Sequence, residues 1–449
     1  MHPAGARLPR LGAALLRGGV GVFGLRVLAL FLAFGADVVM TRSLGTEQYG
    51  IFAIGVSWLT VLITIASLGF GTALLKVIPA ERASGDPGLV RGALAWSQRR
   101  MLAAAVALAL VFAGAVVLMG ARIGAELRGV LLVLALFLPV QVLAVQRQAA
   151  LQAFKRPVLS LVPEQVLRWI VFVLLVGGLY FWTGSVTAVG ATWAYGAGML
   201  VALVAAHLFV RRVVPGEVQR AAPRFAPSAW WLLALPLGWN SVMRMLNSRA
   251  DPAMLGWLDD AEGAAFFSVA NRLASLLLFG MLAVNAVAAP LISELHTQGK
   301  RRELQEMLTL TAKGLALYAL PLGAGLIIGG PWILAVFGPE YVAAYPVLVL
   351  LVVGRTLTCL FGTVGFLLAM TGHHNYVAKL VTACALLKVL LNLALIPSFG
   401  ALGAAAATML MLAVMGLAQW RYVRRELGLE PSCLALFAAA PTAEGEVAP

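Results

Sequence analysis

The sequence predicts an all-α integral membrane protein. Twelve transmembrane helices are expected in two six-helix bundles, related by a parallel pseudo-two-fold repeat, with both termini in the cytoplasm. Three observations predict this. The 449 residues are 61% hydrophobic and only 12% charged, with a mean hydropathy of +0.92, whereas soluble chains carry about 25% charged residues. Lys and Arg concentrate in alternate connecting segments. A short run of sequence after Arg42 is written again, in altered form, after Gly256.

Each element follows from the apolar runs. A helix needs about 20 apolar residues to cross a bilayer core about 30 Å thick. Tyr49–Leu75 is 27 residues without a formal charge, and Met101–Ala121 and Leu273–Ser293 are 21 each. Trp169–Val210 is broken only at Thr183-Gly184-Ser185 and divides into two spans. The full set reads 19–41, 49–74, 99–120, 129–150, 158–180, 186–209, 228–254, 264–290, 311–330, 342–369, 375–396 and 400–420. The weak alternation of a strand barrel is absent, so helices are the reading. Arg7, Arg10 and Arg17 precede an apolar stretch as in a secretion signal, but no short apolar region with a small-residue cleavage site follows. Residues 1–18 are therefore a cytoplasmic N-terminus before a retained first helix. The bundles cover 19–210 and 228–425, joined by a cytoplasmic linker at 211–227. The tail, 426–449, ends "PTAEGEVAP" and is expected to be cytoplasmic and disordered.

With the N-terminus inside, twenty Lys and Arg fall on inner segments and three, Arg42, Arg122 and Arg128, on outer loops. That positive-inside bias supports an even number of spans in a multi-pass protein of the cytoplasmic membrane. It also explains the net charge of +14 by topology, so no nucleic-acid partner is required. Cys359, Cys384 and Cys433 make neither a disulfide framework nor a zinc spacing. The adjacent His373 and His374 do not share a helix face. Neither a metal nor a cofactor is expected.

At a shift of 214, Asp37 falls on Asp251, Leu44 on Leu258, Gly50 on Ala264 and Phe52 on Phe266. "AVGAT" from Ala188 matches "ALGAA" from Ala401, and Leu151 matches Leu368. The matches pair span one with seven, four with ten and six with twelve. Two like-oriented halves about an axis along the membrane normal can open a site to either side in turn, which is a transporter signature.

The spans and their edges hold ten cations, Arg26, Arg147, Arg168, Arg244, Arg249, Arg272, Lys313, Arg355, Lys379 and Lys388, against three acids, Asp37, Glu164 and Asp251. A cation at mid-membrane costs about 2.5–3.5 kcal/mol on the insertion scale. Arg147, Lys313 and Lys379 can snorkel to the inner face. Glu164 and Arg168, four apart with the acid first, suit a helical ion pair. Arg244, Arg272, Arg355 and Lys388 are left near mid-membrane, all in the expected second half. On span seven, Asn240, Arg244, Asn247 and Asp251 make one polar stripe, and Arg26 and Asp37 on span one mark the two ends of the equivalent stripe. Ser268, Arg272 and Ser275 line one face of span eight, where Asn271 adds an amide. Lys388 and Asn392 share a face of span eleven. A water-filled chamber lined by cations selects an anion, and the planar fork of Arg suits phosphate.

"RSLGTEQYGIFAIGVSWLTVLITIASLGFGTALLK" (42–76) resembles the first-to-second helix signature of the polysaccharide flippases, which export O-antigen and exopolysaccharide units. They belong to the multidrug/oligosaccharidyl-lipid/polysaccharide exporter superfamily. "DPAMLGWLDDAEGAAFFSVANRLASLL" (251–277) resembles the corresponding seventh-to-eighth segment. The resemblance implies a flippase that carries undecaprenyl-diphosphate-linked oligosaccharide to the outer leaflet by alternating access. Proton, sodium or membrane potential would drive it, and the polysaccharide polymerase machinery would be a partner. It implies substrate contacts at Arg26 and Arg272. The cation-lined chamber adds Arg244, Arg355, Lys388, Asn240, Asn247 and Asn271 as substrate-binding candidates, and Asp37, Asp251 and Glu164 as ion-coupling candidates. Asp259 stands where the family usually has Gly and reads as a loop change. Lipid II flippases typically have fourteen spans, against twelve here. Multidrug extruders move organic cations and would call for acids in the chamber. A membrane glycosyltransferase or ligase would need a larger outer loop around Asp259–Glu262; no enzymatic activity is expected.

Overall fold

The computed structural model describes residues 7–433, with most side chains from Gly24 onward. Residues 1–6 of the expected N-terminal segment and 434–449 of the expected tail lie outside the described residues. The chain separates into two compact units, Met1–Trp257 and Leu258–Pro449, and each is helical throughout its described residues.

In the first unit, α1 runs Arg7–Ala66, α2 Phe70–Ala83, α3 Pro87–Met119, α4 Ala125–Ala153 and α5 Pro157–Val162. A π-helical turn, Pro163–Leu167, leads into α6, Arg168–Thr183. Then come α7, Ala188–Val213, the single turn α8, Gly216–Arg220, and α9, Pro227–Leu258. The second unit holds α10, Ala261–Ala274, α11, Leu277–Thr297, α12, Arg301–Ile328, α13, Gly330–Ala335, α14, Tyr345–Leu360, α15, Val364–Met370, and α16, His374–Tyr422.

Among the described residues, eight helical segments are long and apolar enough to cross a membrane. Two of them, Gly24–Ala83 (60 residues) and Asn375–Leu427 (53 residues), far exceed the length of one crossing. Each carries a non-helical glycine. Gly45 (φ 76°) interrupts α1, and Gly400 (φ 53°, ψ −134°) interrupts α16. The outward faces are apolar: Leu110, Leu118, Phe181, Trp182, Leu232 and Leu317 are each at least 70% exposed. Such a surface needs lipid as its solvent. The protein is a multi-pass, all-helical membrane protein.

Helix α4 is the hub of the first unit, packed on α1, α2, α3 and α7, with Val130, Leu138, Val142, Ala144 and Ala150 fully buried. Helix α14 holds the corresponding place in the second, packed on α10, α12 and α16. These are the fourth and tenth spans that the internal match pairs.

Helix α9 packs with the first unit, which runs to Trp257. The reason is local packing. The linker is stitched to the turn before α3: Arg224 pairs with Asp86 at 2.6 Å, and Arg91 donates to Ala221 O at 2.6 Å. Phe70, Trp96, Trp230 and Trp231 then form an aromatic cluster with centroids 5.2–5.7 Å apart. Near the C-terminus, ordered chain continues past Arg425. Glu430 accepts from Trp420 Nε1 at 2.7 Å, and its backbone N–H donates to Gln305 Oε1 at 2.8 Å. Segment 428–432 is thereby fastened to α12.

Candidate functional site

The polar stripe of span seven lies on one unbroken helix. On α9, Asp251 is buried, Asn240 and Asn247 are half-buried and Arg244 is exposed. On α1, Arg26 is exposed while Asp37 is 5% exposed. Arg244 lies in the first unit with Arg26, and Arg272, Arg355 and Lys388 lie in the second.

In the second unit the structure breaks the expected span eight. The helix stops at Ala274 and restarts at Leu277. Arg272 falls in the last turn of α10, where the carbonyl end of the helix favours a cation. Side chains from other helices add to the backbone bonding at this break, where Leu276 O also accepts from Phe279 N at 3.1 Å. Tyr318 Oη donates to Leu276 O at 2.8 Å, and Cys359 Sγ lies 3.5 Å from Leu277 O. Next to Arg272, Asn271 Oδ1 accepts from Arg355 Nη2 at 3.3 Å. The structure thus joins Asn271 to Arg355 across α10 and α14, with Arg272 the next residue on α10. Lys388 and Asn392 are 1% and 0% exposed, one turn apart on α16.

Glu164 sits in the π-helical turn, a local geometry frequent at functional positions. Its Oε2 meets Arg168 Nη1 at 2.9 Å and accepts from Gln141 Nε2 at 3.0 Å. Among the described residues, Oε1 is buried without a hydrogen-bond partner. The Arg168 guanidinium lies 5.4 Å from the Trp169 ring centroid and 5.3 Å from that of Tyr195. Gln141 is absent from the sequence-derived candidates; a carboxamide in an apolar span is itself the signal that marks it.

The turn at Leu258–Asp260 is more than solvated polar sequence. Asp260 caps α10, accepting from Gly263 N at 2.6 Å. Asp259 lies against Gly400 and accepts the backbone N–H of Ala401. The first unit repeats the arrangement with other chemistry: Gln48 Oε1 accepts from Ala188 N at 2.7 Å. In each half, the turn after Leu44 or Leu258 caps the helix beginning at Ala188 or Ala401, the same segments paired by the internal match. Asp259 is consequently a structural cap and not a mere loop change. Burial, and secondarily Asp260, holds its carboxyl above the ordinary carboxylate value.

Residues 15–296 match the family described as "Polysaccharide biosynthesis protein". Two similar proteins come from Haloferax volcanii: "Probable flippase AglR", 29% identical over 38% of this chain, and "Probable low-salt glycan biosynthesis flippase Agl15", 24% identical over 39%. Each alignment spans 37% of the relative's own length. Among solved structures, an inward-facing multidrug resistance MATE family transporter of the MOP superfamily superposes with a TM-score of 0.73 at 15% identity, covering 92% of this chain and 96% of that one. The lipid II flippase MurJ, in an inward closed conformation, gives 0.71 at 15% identity, covering 91% and 87%. With a family match over more than half of its length and the fold of these transporters, the chain belongs to the polysaccharide biosynthesis protein family.

Proposed function

We propose that the protein is a flippase that moves a polyprenyl-diphosphate-linked oligosaccharide across the cytoplasmic membrane by alternating access, for surface polysaccharide synthesis. The observation that carries the reading is the charge within the spans, ten cations against three acids. An organic-cation pump calls for the opposite balance, while a diphosphate calls for this one. The flippase names of both archaeal relatives point the same way.

The two longest helical segments each count as two crossings, one on either side of Gly45 or Gly400, so the eight candidates make ten crossings; α9 and the α10–α11 pair bring the total to twelve. Arg26, Arg244, Arg272, Arg355 and Lys388 neutralise the diphosphate, and Asn240, Asn247 and Asn271 add amide contacts. The polyprenyl chain remains in lipid. Asp37, Asp251 and Glu164 are the groups for a coupling proton or sodium, and the buried Glu164 Oε1 has an open acceptor for either. The polysaccharide polymerase machinery consumes the exported unit.

The test is a deletion strain complemented with wild type or Arg272→Ala. Deletion is expected to trap lipid-linked oligosaccharide on the cytoplasmic side, and Arg272→Ala is expected to leave it trapped at normal membrane abundance. Normal surface polysaccharide in either strain would overturn the proposal.

A further inference from the structure

We infer that the first unit carries a separate subsite for a neutral sugar ring, the ring nearest the diphosphate. It is a cavity of about 330 Å³ at the break between α1 and α2, within the usual range of ligand pockets, about 300–1,000 Å³. This rests on the reading above and adds which part of the protein reads the glycan.

The break forms where Leu68 (φ 51°) and Gly69 (φ 78°) both turn left-handed. Gly69 also lets α9 approach: a Cβ there would stand 2.0 Å from Ala234 O and 2.6 Å from Gly238 N. That contact brings Ser241 of α9 to the cavity. The polar lining is Thr64, Ser67, Thr72, Gln148, Gln152 and Ser241, without a formal charge.

Its hydrogen-bond capacity is specific. Thr64, Ser67 and Ser241 donate their hydroxyl protons to Thr60 O, Ile63 O and Leu237 O at 2.6–2.8 Å. Their oxygens are therefore left as acceptors facing the cavity. Thr72 Oγ1 and the Gln148 and Gln152 carboxamides make no side-chain hydrogen bond among the described residues, and the amides offer donors and acceptors one helical turn apart on α4. A ligand must supply several donors and some acceptors and carry no charge. A cation would find no acid, and an anion would find no cation. A ring bearing hydroxyls fits, and the Ile63, Val145 and Ala149 side chains supply an apolar floor for its C–H face.

The position suits the first sugar of a lipid-linked unit. From Gly45 to Ala66, α1 rises about 30 Å, one bilayer-core thickness. In the expected orientation the break therefore lies toward the cytoplasmic face, where such a substrate is loaded. Ser241 and Arg244 are three residues apart and so share a face of α9. A diphosphate held at Arg244 places its first sugar beside Ser241.

The test compares binding of bare undecaprenyl diphosphate with undecaprenyl diphosphate bearing one galactose or one N-acetylglucosamine, on the full chain in nanodiscs. Wild type is expected to prefer at least one sugar-bearing lipid by about tenfold or more. Gln148→Met with Gln152→Met is expected to bring that ratio close to one, and Thr72→Val, a near-isosteric loss of one hydroxyl, to lower it severalfold. A wild-type ratio of one, or ratios unchanged in both variants, overturns the subsite while leaving the flippase reading intact. Failure of wild type to bind any of the lipids overturns the flippase reading, and this inference with it.

Discussion

The Glu164–Arg168 pair allows a quantitative prediction. The two side chains are 9% and 15% exposed, so surface-pair energetics do not apply. Breaking a buried pair leaves one charge uncompensated, at about 3–5 kcal/mol. Arg168→Met does this to Glu164 and also removes two ring contacts, each worth about 0.5–1 kcal/mol or more. It is expected to destabilise the protein by at least about 3 kcal/mol. Glu164→Gln keeps an oxygen for Arg168 Nη1 and both ring contacts but leaves the buried guanidinium without its counter-charge, so its cost lies at the lower end of the same range, about 3 kcal/mol. In the double variant no buried charge is stranded, and the loss should fall below the sum of the singles by at least about 1.5 kcal/mol. Unfolding in mixed detergent micelles, followed by tryptophan fluorescence because Trp169 lies beside Arg168, reads all four corners of the cycle. Additive losses, or an Arg168→Met variant within about 0.5 kcal/mol of wild type, would refute the paired, buried arrangement.

Other perturbations have defined outcomes. Gly69→Ala forces a left-handed residue with a side chain, about 1–2 kcal/mol, against Ala234 O; thermal unfolding should show a clear loss, whereas Gly114→Ala, with open space around it, should not. Tyr318→Phe removes the donor to Leu276 O and should cost about 1 kcal/mol by the same assay. Asp259→Ala deletes the cap on Ala401 and should cost about 1 kcal/mol, while Asp259→Asn keeps an acceptor. The Asp259 carboxyl is raised in the folded state, so the folded protein holds a proton that the unfolded chain has released. Stability from this group is therefore greatest at low pH, falls as pH rises from the ordinary carboxylate value through the raised one, and is level above it. Denaturation measured across that window should show a shallower pH slope for Asp259→Asn, and an unchanged slope would contradict the assignment.

The helices were largely legible because lipid imposes length and apolarity on every crossing. The Glu164–Arg168 pair was legible from its spacing alone. The breaks at Leu68–Gly69 and Ser275–Leu276 were not, because hydropathy is indifferent to whether an apolar run is one helix or two. What stabilises a break is distant in sequence: Tyr318 and Cys359 for one, the backbone of α9 for the other. Asp259 and Gln48 cap helices some 140 residues away, a relation that only the paired repeat segments hint at. The contacts of α9 with the first unit, through Phe70, Trp96 and the Asp86–Arg224 pair, are likewise between residues far apart in sequence.

The most direct test of a cation-lined chamber is equilibrium binding of undecaprenyl diphosphate against uncharged undecaprenol, with wild type and with Arg272→Ala. A charge-assisted contact is worth about 1.5–3 kcal/mol, or about ten- to a hundredfold in affinity. Wild type is expected to prefer the diphosphate, Arg272→Ala to lose affinity by this factor for the diphosphate only, and added inorganic diphosphate to compete. Equal binding of the two lipids, or displacement by an organic cation in place of diphosphate, would contradict it.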